Sequence, residues 1–99
     1  MIDVTKVKNV YIAQGYTDLR KGIDGYSTFV SGTMKLDPFS SSLFLFCNRS
    51  RDKLKVLFWD GNGFWLFYKR LESGKFKWPK PNDTSSLRVN HFLCGIACE

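Results

Sequence analysis

The sequence predicts an α+β fold: a single small domain in which an antiparallel β-meander of three to five strands packs against one main helix. Three observations predict it. Apolar residues between Thr17 and Met34 recur at helical spacing, the stretch from Leu43 to Leu71 breaks into short β-branched and aromatic runs, and the separators between those runs are tight-turn residues. A chain of 99 residues supports one hydrophobic core better than two. The domain is placed at residues 1–81, with a poorly patterned C-terminal tail over residues 82–99.

Val10-Tyr11-Ile12-Ala13 is the first strand, ended by Gln14-Gly15. Thr17 or Asp18 is suited to cap a following helix, in which Leu19, Ile23, Tyr26, Val30 and Met34 form one buried stripe. Arg20 and Asp24, four apart, would pair on the opposite face. Gly22 and Gly25 either weaken that helix or let its backbone approach a sheet closely. Lys35 to Ser42, with Pro38 and several serines, reads as a loop.

Leu43-Phe44-Leu45-Phe46-Cys47 is apolar on both faces, as a central strand covered on two sides would be. Leu54, Val56 and Phe58 alternate with Lys55, Leu57 and Trp59 in the next run, and Phe64 to Leu71 follows. Asp60-Gly61-Asn62-Gly63 between them favours the positive φ angles of a tight hairpin. After the turn Glu72-Ser73-Gly74-Lys75, Phe76-Lys77-Trp78 is expected as a short edge strand closed by Pro79. Beyond Pro81 the pattern supports at most one short helix.

The formal charge of +6 favours polyanionic partners, because phosphates attract Lys and Arg and release counterions when neutralised. The three cysteines, 47, 94 and 98, are odd in number and no secretory leader pattern opens the chain, which reads as a reducing, cytoplasmic protein. The longest apolar run, Leu43 to Cys47, falls far short of the ~18 residues that cross a membrane.

Antiparallel pairing sorts the charges. The first hairpin tip carries Arg49, Arg51 and Lys53, the last long strand returns Lys69 and Arg70 to the same end, and the next turn adds Lys75. These six residues form the candidate nucleic-acid-binding rim. Rings among Trp59, Trp65, Phe67 and Trp78 are suited to stacking on unpaired bases, although core packing is the plainer account of each. Tyr11, Trp65, Phe67 and Trp78 are the candidate anchors for a protein partner, since Trp and Tyr are frequent interface hot spots.

No phosphate-binding glycine loop, nucleophile elbow or paired metal-ligand motif is present, and the single histidine, His91, lies in the tail, so no catalytic residue, cofactor or metal site is assigned and an enzyme is not expected. Asp18, Asp24, Asp37 and Asp60 could hold Mg²⁺, but capping, ion pairing and turn formation account for them more simply. His91, Cys94, Cys98 and a distant Cys47 lack the paired C-x-x-C blocks of a closed zinc site.

From Val10 to Pro79 the chain resembles the small second-frame protein, often called TnpB, of the insertion-sequence 66 family, which is distinct from the RNA-guided nuclease of the same label. The resemblance rests on ordered blocks. They are residues 10–13, Thr17-Asp18-Leu19-Arg20-Lys21-Gly22-Ile23-Asp24-Gly25, Asp37-Pro38-Phe39-Ser40, residues 43–49, Asp52-Lys53-Leu54-Lys55-Val56-Leu57, Trp59-Asp60-Gly61-Asn62-Gly63-Phe64-Trp65, Tyr68-Lys69-Arg70-Leu71 and Phe76-Lys77-Trp78-Pro79. It implies a bacterial mobile element whose catalysis resides in a separate, larger transposase, with this chain as an accessory of transposition. DNA and the transposase, or another protein of the same element, are the partners it suggests. The tail, Val89 to Glu99, departs from the leucine-rich charged helix that the family pattern implies.

Overall fold

The computed structural model describes residues 6–78 and 86–89. In chain order the elements are β1 (Val10–Ala13), α1 (Ile23–Gly32), β2 (Leu43–Cys47), β3 (Lys53–Trp59), β4 (Phe64–Arg70) and β5 (Ser86–Val89). The five strands form one sheet in the order β4-β3-β2-β1-β5. The α+β class and the single main helix are as the sequence predicts, and β2-β3-β4 is the expected antiparallel meander.

The first strand departs from it. β1 lies parallel to β2, with Val10 opposite Leu43 and Ile12 opposite Leu45. Parallel neighbours need a long crossover rather than a hairpin, and the segment containing α1 supplies it. β5 pairs antiparallel with β1 inside the stretch that the sequence pattern assigns to the tail, so the sheet extends past residue 81. Any helix beyond it lies outside the described residues.

Alternation along the strands divides the core in two. One layer gathers Val10, Ile12, Leu43, Leu45, Cys47 and Phe58, covered by Phe76. The other gathers Ala13, Phe44, Phe46 and Leu57 under Tyr26, Val30 and Met34. β2 is buried at every position, which is why its sequence is apolar on both faces. Cys47 is sealed in the first layer, where burial pushes its thiol up to about 11 and keeps it protonated near neutral pH.

α1 begins later than the stripe implies. Gly22, not Thr17 or Asp18, precedes its first turn. The amide of Thr17 is donated to the Cys47 carbonyl at 2.8 Å, docking the loop after β1 onto the end of β2. Arg20 is outside the helix and binds Asp18 rather than Asp24, with Nε and Nη2 on the carboxylate at 3.0 and 2.9 Å. Tyr26, Val30 and Met34 are buried as expected, whereas Ile23 is 36% exposed. Close approach of the helix through its glycines is not found: a Cβ at Gly22 would meet nothing within 4 Å, and one at Gly25 would touch only the flexible Lys21 side chain.

Phe76–Trp78 is not a strand. Phe76 plugs the first layer at 1% exposure, its amide donates to the Arg51 carbonyl at 2.7 Å, and the Trp78 indole donates to the Ala13 carbonyl at 2.9 Å. Their apolar surface is worth more across the sheet face than at its edge, which β4 occupies instead.

The Arg20 clamp gives a pH prediction. Its guanidinium hydrogen bonds hold the exposed Asp18 carboxyl down to about 2 from an ordinary 3.8. Between those values the unfolded chain binds the proton more readily, so the stabilisation is complete above about pH 4 and is lost as pH falls through about pH 2. Asp18→Asn is therefore expected to lower the urea midpoint slightly on the neutral plateau and to converge with the unaltered protein in acid, which flattens the acid limb; an acid limb as steep as that of the unaltered protein would refute the assignment.

Candidate nucleic-acid interface

The tip between β2 and β3 is built around Asn48. Its Oδ1 accepts the amides of Asp52 and Lys53 at 3.1 and 3.0 Å, and its Nδ2 donates to the Asp52 carboxylate at 2.7 Å. That last bond is the main reason the Asp52 carboxyl is held below its ordinary range. The brace turns Arg49 and Arg51 outward, both exposed. Arg51 adopts φ +60°, a left-handed conformation costing about 1 kcal/mol for a non-glycine residue, and its amide bond to the Asn48 carbonyl helps hold it.

The remaining candidate cations arrive by register. Lys53 faces Arg70 and Leu54 faces Lys69 across the β3-β4 ladder. Lys75 reaches back to donate to the Ser50 carbonyl at 2.7 Å, and the Leu71 amide donates to the Asp52 carbonyl. Arg49, Arg51, Lys53, Lys69, Arg70 and Lys75 thus meet at one end of the sheet. Alternation divides the strand residues: Lys53 and Arg70 lie on the helix side, Lys69 on the other.

Two of these cations carry local counter-charges, Lys53 with Asp52 at 3.5 Å and Arg70 with Glu72 at 2.8 Å. Both pairs are solvent-accessible, so water and salt screen them and each yields readily to a competing phosphate.

The four candidate partner anchors are not brought together. Tyr11 is half-buried on the helix side, stacked on Phe44 at 5.6 Å. Trp78 is tied to β1 by its indole bond. Trp65, 46% exposed, stacks on Phe67 at 5.7 Å on the opposite face, three strands away from β1. Its indole donates to Asp60 at 2.6 Å, which holds that carboxyl low. Trp59 packs edge-on against Phe39 and Phe64.

The aspartates that could have served a metal are engaged locally. Asp18 holds Arg20, Asp37 accepts the Phe39 amide, Asp60 accepts the amides of Asn62 and Gly63, and Asp24 lies in the first turn of α1. Cys47 is buried, and its proposed zinc companions His91, Cys94 and Cys98 lie outside the described residues.

Residues that the sequence did not single out join the same corner. The Arg49 guanidinium sits 5.4 Å from the Tyr16 ring centroid, and Lys55, Tyr68 and Arg20 border the groove beside Lys53. Lys55 and Tyr68 were accessible to the period-two rule, being two residues from Lys53 and Arg70; Arg20 was not, because the loop after β1 positions it.

Fold and corner together define a small basic α+β protein that concentrates cations at one end of its sheet. The chain belongs to the IS66 Orf2-like family, whose model matches residues 8–96, and that membership points to an accessory protein of an insertion sequence. The match continues well into the segment that departs from the expected tail pattern, which is therefore within the family's span. Two proteins of Sinorhizobium fredii (strain NBRC 101917 / NGR234) are similar to it. The uncharacterized protein y4hO is 40% identical over 91 residues, 88% of this chain and 79% of its own length. The uncharacterized protein y4jC is 34% identical over 83 residues, 84% of this chain and 71% of its own. No solved structure matches the chain. Among the described residues, no helix is long and apolar enough to cross a membrane.

Proposed function

We propose that this chain is a non-catalytic accessory protein that acts in the bacterial cytoplasm and supports transposition by binding DNA through Arg49, Arg51, Lys53, Lys69, Arg70 and Lys75. The observation that carries this reading is the convergence of three separate chain segments on one corner, with Lys53 opposite Arg70 and Lys75 bonded to Ser50. Like charges repel, so gathering them opposes folding slightly and is most useful where an anion arrives to neutralise them. The loop brace at Asn48 adds preorganisation, which lowers the ordering cost of binding.

Titration of a fluorescent duplex across salt concentrations tests it. With six cations sharing the work, log affinity against log salt is expected to fall with a slope between about −3 and −5, each neutralised phosphate contributing about −0.9. A slope near zero rejects the reading.

The exposed Trp65, stacked on a half-buried Phe67, supports a second reading, docking on the transposase or another protein of the element. Its measurement is co-elution of purified transposase with this chain in the absence of DNA.

A further inference from the structure

On the helix side, the basic corner continues into an open groove of about 490 Å³ lined by Leu19, Arg20, Lys53, Lys55, Leu66 and Tyr68. Leu19 and Leu66 also pack against the helix-side core and give it an apolar floor, while Tyr68, 55% exposed, stands beside them with the Lys55 ammonium over its ring at 5.8 Å. Arg20, Lys53 and Lys55 supply cations around that floor.

Two positions are held in place. The Lys55 ammonium lies 5.8 Å from both the Tyr26 and Tyr68 rings and donates to the Lys21 carbonyl at 3.4 Å. Arg20 is fixed by its fork on Asp18, and the loop carrying both is anchored by the Tyr26 hydroxyl, which donates to the Asp18 carbonyl at 3.0 Å. No carboxylate is among the residues lining the groove, and the carboxylates that pair with its cations are Asp18 on Arg20 and Asp52 on Lys53.

Duplex DNA has little use for such a shape, because its bases are stacked inside and it presents phosphates, sugars and base edges but no open ring face. An apolar floor with one exposed ring behind a row of cations suits a flat heteroaromatic ring carrying a phosphate on either side. We infer that this groove takes an unpaired nucleotide of a DNA single strand, with the base against Tyr68 and Leu66 and the flanking phosphates on Arg20, Lys53 and Lys55. The inference rests on the proposed DNA-binding reading and adds the strand type to it. Lys53 belongs to both rim and groove, and Arg70 faces it across the ladder, so a strand tracking the rim runs directly into the groove.

The test compares an oligothymidylate of about 12 nucleotides with an abasic strand of equal length, which keeps the phosphates and lacks the bases. The full chain is expected to bind the thymidylate about tenfold more tightly, as stacking of one base on an aromatic ring allows. Tyr68→Ala should make the two strands bind alike, Tyr68→Phe should restore the preference, and Arg49→Glu/Arg51→Glu should weaken both strands together. Equal binding of the two strands by the unaltered protein, or a preference that survives Tyr68→Ala, overturns the groove while leaving the basic rim standing. Failure to bind either strand or the duplex overturns both.

Discussion

Phe46→Ala is expected to destabilise the protein by about 3–5 kcal/mol, the range for deleting a fully buried aromatic side chain. Phe46 is wholly buried in the central strand, stacked on Tyr26 at 4.5 Å and met edge-on by Phe29 at 5.8 Å. Domains of this length have a total stability of about 5–15 kcal/mol, so the loss is a large fraction of it, with a melting temperature lower by more than about 12 °C. Trp65→Ala removes a larger ring but one that is half exposed at the sheet edge, and about 1 kcal/mol is expected. Urea unfolding of the two variants checks the ranking. Comparable losses would mean that the helix layer over β2 contributes little to the fold.

β2 and the hairpin that follows it were legible because their signals are local. Five consecutive apolar residues can be satisfied only by burial on both faces, and Asp60-Gly61-Asn62-Gly63 gives a turn in which Asp60 accepts two amides and Gly61 takes φ +107°. The direction of β1 was not legible, since four residues that pair parallel or antiparallel look the same and the choice depends on how the crossover packs. β5 is equally short, follows a run of polar residues and carries no alternation long enough to mark it. The start of α1 was misread for another reason. Leu19 keeps the stripe's spacing and packs on the same core, but Asp18 and Arg20 close a local loop that competes with helix, and Gly22 then delays the first turn.

The corner was readable because hairpin connectivity alone decides which tips share an end of the sheet. Its two faces needed one more step, the assignment of Lys53, Lys55, Tyr68 and Arg70 to the helix side, which the sequence pattern contains only once the β3-β4 register is known. The partner anchors fared differently. A ring's composition says that it will be partly buried, not whether its polar atom will be spent inside the molecule, as those of Trp78 and Trp65 are.

Arg49→Glu/Arg51→Glu is expected to lower duplex affinity by about a hundredfold at low salt and to make the salt slope shallower by about 1.8, the share of two phosphates. Net charge alone would predict some loss, so the informative comparison is Lys8→Glu/Lys35→Glu, which changes the charge by the same amount. Lys8 lies just before β1, its amide bonded to the Ser41 carbonyl, and Lys35 follows α1, so both flank the end of β2 opposite the tip. Five to seven residues of strand put about 15–20 Å between the two ends, well beyond the ~8 Å over which exposed charges act at physiological salt. The far pair should therefore weaken binding less than about threefold and leave the slope unaltered. Equal losses from the two variants would mean that DNA responds to the protein's total charge, and the convergence of Arg49, Arg51, Lys53, Lys69, Arg70 and Lys75 would then need a reason other than phosphate recognition.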